Sequence, residues 1–229
     1  MFSRKVKFTL VPLLLCTVFN AGASAYGSPA TKGRLRYEPA FFVGVAAKNI
    51  KIGKTTSGED VTMSGGGGIG GTMCIGYSLT NTVDIDLAAG MQTSSLQPEV
   101  SNAEGSFRRA MVFLTGKYKI PARDNYLAKI GAGVSYYNPG TLTLELQSIG
   151  LGIWEITYKK PIGFHVTFDI ELFMPKNTSS WSFGLRYGVV SYEPSRFALS
   201  GYTLPVYALS KEFTDLKGDT LDLIIAYKF

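Results

Sequence analysis

Apolar residues recur at every second position over most of this chain, from Arg36 to the C-terminal Phe229. In the segment 164–174, one set of alternate positions is entirely apolar, whereas the other set includes His165, Asp169 and Glu171. A helix would mix these two sets around its circumference, but an extended strand separates them onto opposite faces. The sequence therefore predicts an all-β fold of amphipathic strands.

The alternation also suggests how many strands to expect. Nine segments show it clearly: 36–48, 68–79, 82–92, 106–120, 125–137, 149–159, 163–174, 181–192 and 219–229. A closed single-chain bacterial barrel has an even number of strands. The segment 196–213 is a weak tenth candidate because Pro205 interrupts it. We predict an antiparallel up-and-down transmembrane β-barrel of ten strands. The alternative is eight strands, with one of the nine segments lying in a loop.

Two water-soluble folds, the β-sandwich and the lipocalin-like barrel, also produce alternating strands. Three features favour the membrane barrel. The segments have about ten residues or more, which is the length a tilted strand needs to cross a bilayer. The less apolar strand faces carry glycine, threonine and charged residues, which suit a polar lumen. Aromatic residues lie near strand ends, as an interfacial girdle requires; they are Tyr37, Tyr77, Tyr118, Tyr126, Tyr136, Tyr158, Trp181 and Tyr227.

The polar connections between these segments alternate in length. Long connections cover 49–67, 93–105 and 138–148, and short ones cover 80–81, 121–124 and 160–163. Transmembrane barrels have short periplasmic turns and longer external loops, so this alternation is a fourth feature that favours them. The segment 175–180 breaks the pattern, because it is short where an external loop is expected.

The first 25 residues have the features of a cleavable secretory signal peptide. Three basic residues precede an apolar run over 8–19, and Ala23 and Ala25 place small residues at the positions that a signal peptidase recognises. The apolar run is too short for a membrane-spanning helix, which needs roughly 20 residues. We expect cleavage after Ala25, which leaves 26–229 as one barrel domain.

Removal of the signal peptide lowers the charge of the chain. The full sequence has 23 basic and 17 acidic residues, and the signal peptide holds three of the basic ones, so the net charge falls from +6 to +3. This small charge removes the main argument for a nucleic-acid partner. Cys74 is the one cysteine left, which excludes an intramolecular disulfide, and we expect it to be an inert small residue in a strand.

The C-terminal segment 221–229, with the sequence LDLIIAYKF, resembles the last strand of small bacterial outer-membrane β-barrels, and the OmpA/OmpW/OmpX-like barrel-domain proteins are the nearest in pattern. The resemblance implies that this strand is read by the barrel-assembly machinery in the outer membrane of a Gram-negative bacterium. The signal residues would be Leu221, Leu223, Ile225, Tyr227 and Phe229. We expect a monomer in contact with outer-membrane lipids and lipopolysaccharide.

The inward strand faces supply candidate lumen residues. Asp84 and Asp86 share one face, and paired acids can bind a metal or act in hydrolysis. We favour ion pairs with lumen cations, because the interior of a small barrel is just wide enough for side chains. Lys159 and Lys228 are further possible partners for the acids. The predicted lumen residues are Asp84, Asp86, Arg109, Lys117, Lys129, His165, Asp169, Glu171 and Arg186.

Two sequence features could indicate chemistry. His165 is the only histidine, and a lipid-modifying enzyme would pair it with Ser or Asp. Asp169 lies roughly 13 Å away along the same strand, and no Ser has a spacing that defines a dyad, so we expect a hydrogen-bonded lumen histidine. The glycine-rich segment 65–71 lacks the Lys-Ser/Thr ending of a phosphate loop, and we expect a flexible connection that runs into a strand.

These patterns predict an integral outer-membrane barrel that is not an enzyme and that needs no cofactor or metal. Its role would be structural, surface-interacting, or a porin-like passage of small solutes through a narrow lumen. Two alternatives stay open. One is a channel of the OmpW-like type for small or apolar molecules, suggested by Tyr136, Tyr137 and the inward Met111 and Phe113. The other is an outer-membrane lipid-modifying enzyme that uses His165.

Overall fold

The structure is a computed structural model that describes residues 32–100, 103–123, 126–138, 140–146, 150, 152–174, 179–214 and 216–229. The predicted signal peptide and its cleavage site, Ala23 and Ala25, lie outside the described residues. Among the described residues, no helix is long and apolar enough to cross a membrane. The strands are β1 (Leu35–Ala46), β2 (Asn49–Lys54), β3 (Asp60–Ser64), β4 (Gly68–Ser78), β5 (Val83–Ser95), β6 (Glu104–Arg123), β7 (Tyr126–Tyr137), β8 (Thr141–Leu146), β9 (Gly152–Tyr158), β10 (Ile162–Phe173), β11 (Ser180–Val189), β12 (Ser191–Tyr192), β13 (Pro194–Leu199), β14 (Tyr202–Leu204), β15 (Leu216–Lys217) and β16 (Thr220–Lys228).

Eight of these strands close into an antiparallel barrel. The order around the barrel is β1, β4, β5, β6, β7, β10, β11 and β16, and the last strand pairs with the first from Ala40↔Ala226 to Ala46↔Thr220. Each barrel strand therefore pairs with its neighbour in chain order, which is the up-and-down topology that we predicted. The preference for ten strands is not confirmed, and the alternative of eight describes the closed barrel.

The barrel strands bury their polar faces and expose their apolar faces. On β10, Phe164 is 68% exposed on the outside, whereas His165 and Asp169 are buried in the lumen. The same arrangement holds on β16, where Leu223 points outward and Asp222 inward. A soluble barrel would have the reverse pattern, so the apolar exterior is that of a transmembrane barrel.

The segment 149–159 is the one of our nine segments that lies outside the barrel wall. It contains β9, which pairs with β8 and β13 in a sheet that continues the wall beyond the end of β7. This strand has only seven residues, too few to cross a bilayer. Its inward-facing residues, Trp154, Ile156 and Tyr158, pack against other apolar residues, which is the pattern of a water-exposed sheet.

The weak tenth candidate, 196–213, also does not form a barrel strand. It contains most of β13, all of β14, a 3-10 turn (Val206–Ala208) and one turn of α-helix at Lys211–Thr214. Pro205 directly follows β14 and precedes the 3-10 turn. A proline supplies no N–H for a strand ladder, so the chain leaves the sheet at this point.

These two corrections also explain the apparent break in loop alternation. The strands β8, β9, β13 and β14 extend from the end of β6, outside the barrel wall, and we call them the external sheet. Because β8 and β9 belong to it, the whole segment 138–161 is one long connection, and the short segment 160–163 lies at the long-loop end. The connection from β10 to β11 then lies at the opposite end, together with the short turns. Its residues 175–178 lie outside the described residues. The alternation of long and short connections therefore extends to the C-terminus.

Candidate functional site: the lumen and its external cover

The half of the lumen nearest the short turns is filled by ion pairs. Asp84 is fully buried at the start of β5, where three cations from three other strands meet it. Its carboxylate lies 3.0 Å from Arg36 Nη1, 2.7 Å from Lys119 Nζ and 3.1 Å from Lys129 Nζ. These side chains meet because each lies on the inward face of its strand, and the interior of a small barrel is just wide enough for side chains.

The ion pairs around Asp84 extend into a connected network. Lys117 joins Asp86 at 3.0 Å to Asp169 at 2.7 Å, and Lys129 joins Asp84 to Glu171 at 2.9 Å. Among the described residues, five acids and five cations are joined in this way, and we call them the lumen network. Its members are Glu38, Asp84, Asp86, Asp169, Glu171, Arg36, Lys117, Lys119, Lys129 and Lys228.

His165 lies in the middle of the lumen between two hydroxyl groups. Thr115 Oγ1 is 2.8 Å from Nε2, and Ser135 Oγ is 2.7 Å from Nδ1. We missed Ser135 because it lies on β7, and only the pairing of β7 with β10 brings it beside His165. His165 is 3% exposed, and Phe113 packs edge-on against its ring. Asp169, the acid on the same strand, is engaged by Lys117.

Arg186 marks the boundary between the charged and the apolar parts of the lumen. Its guanidinium pairs with Asp222 at 2.7 Å and lies over the rings of Phe113 and Phe42, at 3.9 and 5.0 Å from their centroids. The cation is thus neutralised on one side and covered by aromatic faces on the other. Beyond this level, the interior towards the long loops is largely apolar.

Arg109, on β6 of the barrel wall, binds two segments that cover the mouth of the barrel: the glycine-rich segment 65–71 and β12. It donates hydrogen bonds to the carbonyl oxygen of Gly66, at 3.0 Å, and to the hydroxyl of Tyr192, at 2.7 Å, and it also binds Gln92 on β5. A Cβ atom on Gly66 would lie 2.6 Å from the carbonyl oxygens of Gly218 and Asp219. The glycine-rich segment enters β4 as expected, but its first part is packed tightly in the mouth of the barrel.

An aromatic cluster closes the mouth above Arg109. Phe107 packs edge-on against Tyr158 and Tyr192, with ring centroids 5.9 and 5.3 Å apart, and Tyr137 meets Tyr192 at 6.0 Å. Burial raises the pKa of Tyr192 to about 12, so its hydroxyl stays protonated at physiological pH. The cluster continues into the external sheet, and this external cover includes Leu142, Leu144, Ile156, Phe197, Phe213 and Leu216.

The structure divides the predicted lumen residues into three groups. Asp84, Asp86, Lys117, Lys129, Asp169 and Glu171 belong to the lumen network, Arg186 pairs with Asp222, and Arg109 and His165 make hydrogen bonds. Lys159 is not in the lumen; it is exposed and pairs with Glu193 outside the barrel. Our prediction missed Arg36, Glu38, Lys119 and Asp222, although the two-residue period of their strands would have placed all four inward.

One group of lumen residues has the composition of a metal site. Ligand atoms of Glu38, Cys74 and Asp86 lie within 4.8 Å of one another. However, Asp86 is paired with Arg36 and Lys117, and Glu38 lies 3.4 Å from Lys228. These cations already supply the positive charge that a metal ion would bring, so the group fits the lumen network better than a metal centre.

A cleft of about 390 Å³ lies in the barrel wall at the long-loop end. The wall opens there because β1 and β4 separate beyond the Gly44↔Gly68 pair. The outer lining is apolar, with Val43, Val45 and Ile69, whereas the hairpin β2–β3 and the end of β5 contribute polar groups such as Ser94. The cleft therefore joins the apolar exterior to a polar rim.

The C-terminal strand closes the barrel against the first strand. The backbone N–H of Phe229 donates to the carbonyl oxygen of Tyr37, at 3.1 Å. The Tyr227 ring lies between those of Trp181 and Phe229, with both centroids 5.1 Å away. Leu221, Leu223 and Ile225 point outward with Phe229, in the register predicted for an assembly signal.

No protein-family model matches this sequence, and no curated protein matches it. Solved structures do. The outer-membrane protein OprG from Pseudomonas aeruginosa has a TM-score of 0.56 and 10% identity, covering 88% of this chain and 98% of OprG. Neisserial surface protein A has a TM-score of 0.49 and 11% identity, covering 85% and 94%. The outer-membrane protein AlkL has a TM-score of 0.45 and 16% identity, covering 92% and 96%. With its eight paired strands, the chain therefore has the fold of the small outer-membrane β-barrel proteins.

Proposed function

We propose that this protein is an integral barrel of the Gram-negative outer membrane with a closed lumen, and that its role is structural or surface-interacting rather than enzymatic. The continuous apolar exterior of the eight barrel strands supports the membrane location, because such a surface is unfavourable in water. The long connections would then face outward from the cell, and the short turns would face the periplasm.

Closure of the lumen at two levels is the observation that carries the proposed role. The lumen network fills the periplasmic half, and the external cover fills the mouth. A channel needs a continuous water-filled path, and paired side chains or packed aromatic rings interrupt such a path at both levels. The protein is therefore suited to anchor its external sheet at the cell surface.

The arrangement around His165 argues against the enzymatic alternative. Both ring nitrogens have hydroxyl partners, and Phe113 covers the ring. Ser135 and Thr115, whose hydroxyl groups contact its two ring nitrogens, are only 1% and 5% exposed. A lipid substrate would have to displace packed side chains to reach this pair. We therefore assign Thr115, Ser135 and His165 to lumen packing.

Passage of small apolar molecules through the wall is a second candidate, and the lateral cleft favours it. The cleft begins at outward-facing residues such as Val45 and Ile69, where a molecule dissolved in the membrane could enter. The external cover lies directly behind it. Passage would require the cover to move, whereas anchoring would not.

Vesicle measurements can separate these candidates. In planar bilayers, the purified protein is expected to produce no single-channel steps at neutral pH, because the lumen network and the external cover both block water. Uptake of an apolar dye by protein-containing vesicles should equal that of empty vesicles. Stable conductance steps would contradict the closed lumen, and dye uptake without conductance would favour lateral passage.

The C-terminal residue provides a test of assembly. Deleting Phe229 is expected to lower the folded, heat-modifiable fraction in membranes several-fold, because it removes both the bond to Tyr37 and the ring contact with Tyr227. A Tyr207→Ala variant is the control, since that external side chain is 89% exposed. Equal folded fractions for the two variants would count against an assembly signal at the C-terminus.

A further inference from the structure

We infer that the outer face of the external sheet binds the phosphate group of a lipid at the membrane surface, through Arg108 and Arg196. This inference rests on the membrane location proposed above. Arg108 lies on β6, and Arg196 lies on β13, three strands away in the same sheet. We call the row of four residues that joins them the arginine row.

The strand register aligns the row directly. Arg108 pairs with Thr141 on β8, Thr141 pairs with Thr157 on β9, and Thr157 pairs with Arg196. Their side chains share the outer face, since the neighbouring Phe107 and Phe197 are buried on the inner face. Three strand spacings separate the two arginines by about 14 Å. Two hydroxyls thus lie between two guanidinium groups.

The arginine row lies at the boundary of the apolar exterior. On β6, the next outward positions after Arg108 are Ala110, Val112 and Leu114, which belong to the lipid-facing wall. Below the end of β9, Ile162 is 69% exposed on the outside of β10. The arginine row is therefore the first polar level next to the apolar exterior, on the side of the long connections. Lipid headgroups lie at this level.

Charge is segregated along this one face. One acid near the row, Glu193, is already paired with Lys159. The other acids of the outer face lie further from the membrane: Glu155 is two residues beyond Thr157, and Glu104 and Glu145 are paired two residues further up the sheet. Apart from the neutral pair of Glu193 and Lys159, the cations thus lie beside the headgroup level, and the acids lie away from it. This polarity complements an anionic membrane surface.

Both guanidinium groups are available to a ligand. Arg108 and Arg196 are exposed, and neither forms an ion pair with any residue in the part of the chain that the structure describes. The nearby Lys159 differs, because Glu193 already binds it at 2.7 Å. A guanidinium binds phosphate oxygens with paired N–H donors, and threonine hydroxyls can donate to the same oxygens.

Native mass spectrometry of the protein in mixed micelles of phosphatidylcholine and lipid A, a phosphorylated glycolipid, tests this site. The wild-type protein is expected to retain lipid A in preference to phosphatidylcholine, because the choline cation neutralises the phosphate of phosphatidylcholine, whereas the phosphates of lipid A carry net negative charge. An Arg108→Gln/Arg196→Gln variant should retain it about tenfold less strongly, which corresponds to about 1.4 kcal/mol. Lipid A stripped of its phosphates should show no preference, and free inorganic phosphate should not compete, because the acyl chains of the lipid hold it in the micelle beside the site.

A Lys54→Gln/Lys211→Gln variant is the matched control, since it loses the same charge from exposed positions outside the row. Equal losses in both variants would overturn the site in favour of general charge attraction, and full competition by inorganic phosphate would overturn the lipid assignment. If the Gln variant does not fold, Arg108→Lys/Arg196→Lys should weaken retention partially, because lysine keeps the charge and loses the planar donor pair; unchanged retention would contradict the inference. Absence of heat-modifiable migration for the wild type would instead overturn the membrane location itself.

Discussion

Replacing Asp84 by alanine is expected to lower the free energy of unfolding by about 3–5 kcal/mol, the range for removal of one partner from a buried ion pair. Asp84 is fully buried and faces Arg36, Lys119 and Lys129. Without its carboxylate, three cations would share a space with too little negative charge. Their mutual repulsion and lost solvation both disfavour the folded barrel.

Urea unfolding in lipid vesicles measures this change, with the fluorescence of Trp154 and Trp181 as the signal. Asp60→Ala is the matched control, because Asp60 also forms an ion pair, with Lys51 at 2.6 Å, but both side chains are exposed. Solvent screens such pairs, so we expect a much smaller change for this variant. Similar unfolding midpoints for the two variants would show that the lumen network contributes little to stability.

Gly68→Val is expected to destabilise the barrel by about 3 kcal/mol or more, through backbone strain and overpacking together. Gly68 begins β4 with a φ of +105°, which side chains with a branched Cβ rarely adopt. A Cβ there would lie 2.1 Å from the carbonyl oxygen of Thr93 and 2.9 Å from the Cα of Ser94. Both are backbone atoms, so a side-chain rotation cannot relieve the contact.

Gly71→Val provides the control within the same glycine-rich segment. Gly71 faces outward, and the nearest atom to an added Cβ is the carbonyl oxygen of Ala40, at 3.4 Å. Valine is favourable on a lipid-facing strand surface, so we expect this variant to fold with nearly unchanged stability. The same unfolding assay compares the two, and equal stability would show that the close approach at Gly68 is not required.

The two-residue period was sufficient to predict most of the barrel strands. In 163–174 and 219–229, every second residue is apolar for the full width of a bilayer, and both segments span the barrel as β10 and β16. The segment 149–159 alternates in the same way, but its strand β9 has only seven residues, and its polar residues face solvent instead of the lumen. Period alone cannot distinguish these two environments, because each produces one apolar face.

The alternation likewise indicates which face of each strand points into the lumen, but it does not show how the lumen residues are paired. Asp84 and Asp86 are two residues apart, yet Asp84 binds Lys129 across the lumen, whereas Asp86 binds Lys117. These choices depend on the register between strands and on barrel curvature. The hydrogen bond between Ser135 and His165 was missed for the same reason.

Local alternation thus determined that this chain forms amphipathic strands with an apolar exterior and a charged interior, because side chains of successive residues in a strand point to opposite faces. Tertiary structure decided that eight strands close the barrel and that the remaining strands cover its mouth. It also decided that the lumen is filled and that Arg108 and Arg196 align on one face. Those outcomes depend on contacts between residues far apart in the chain, and the period within a single strand carries no information about them.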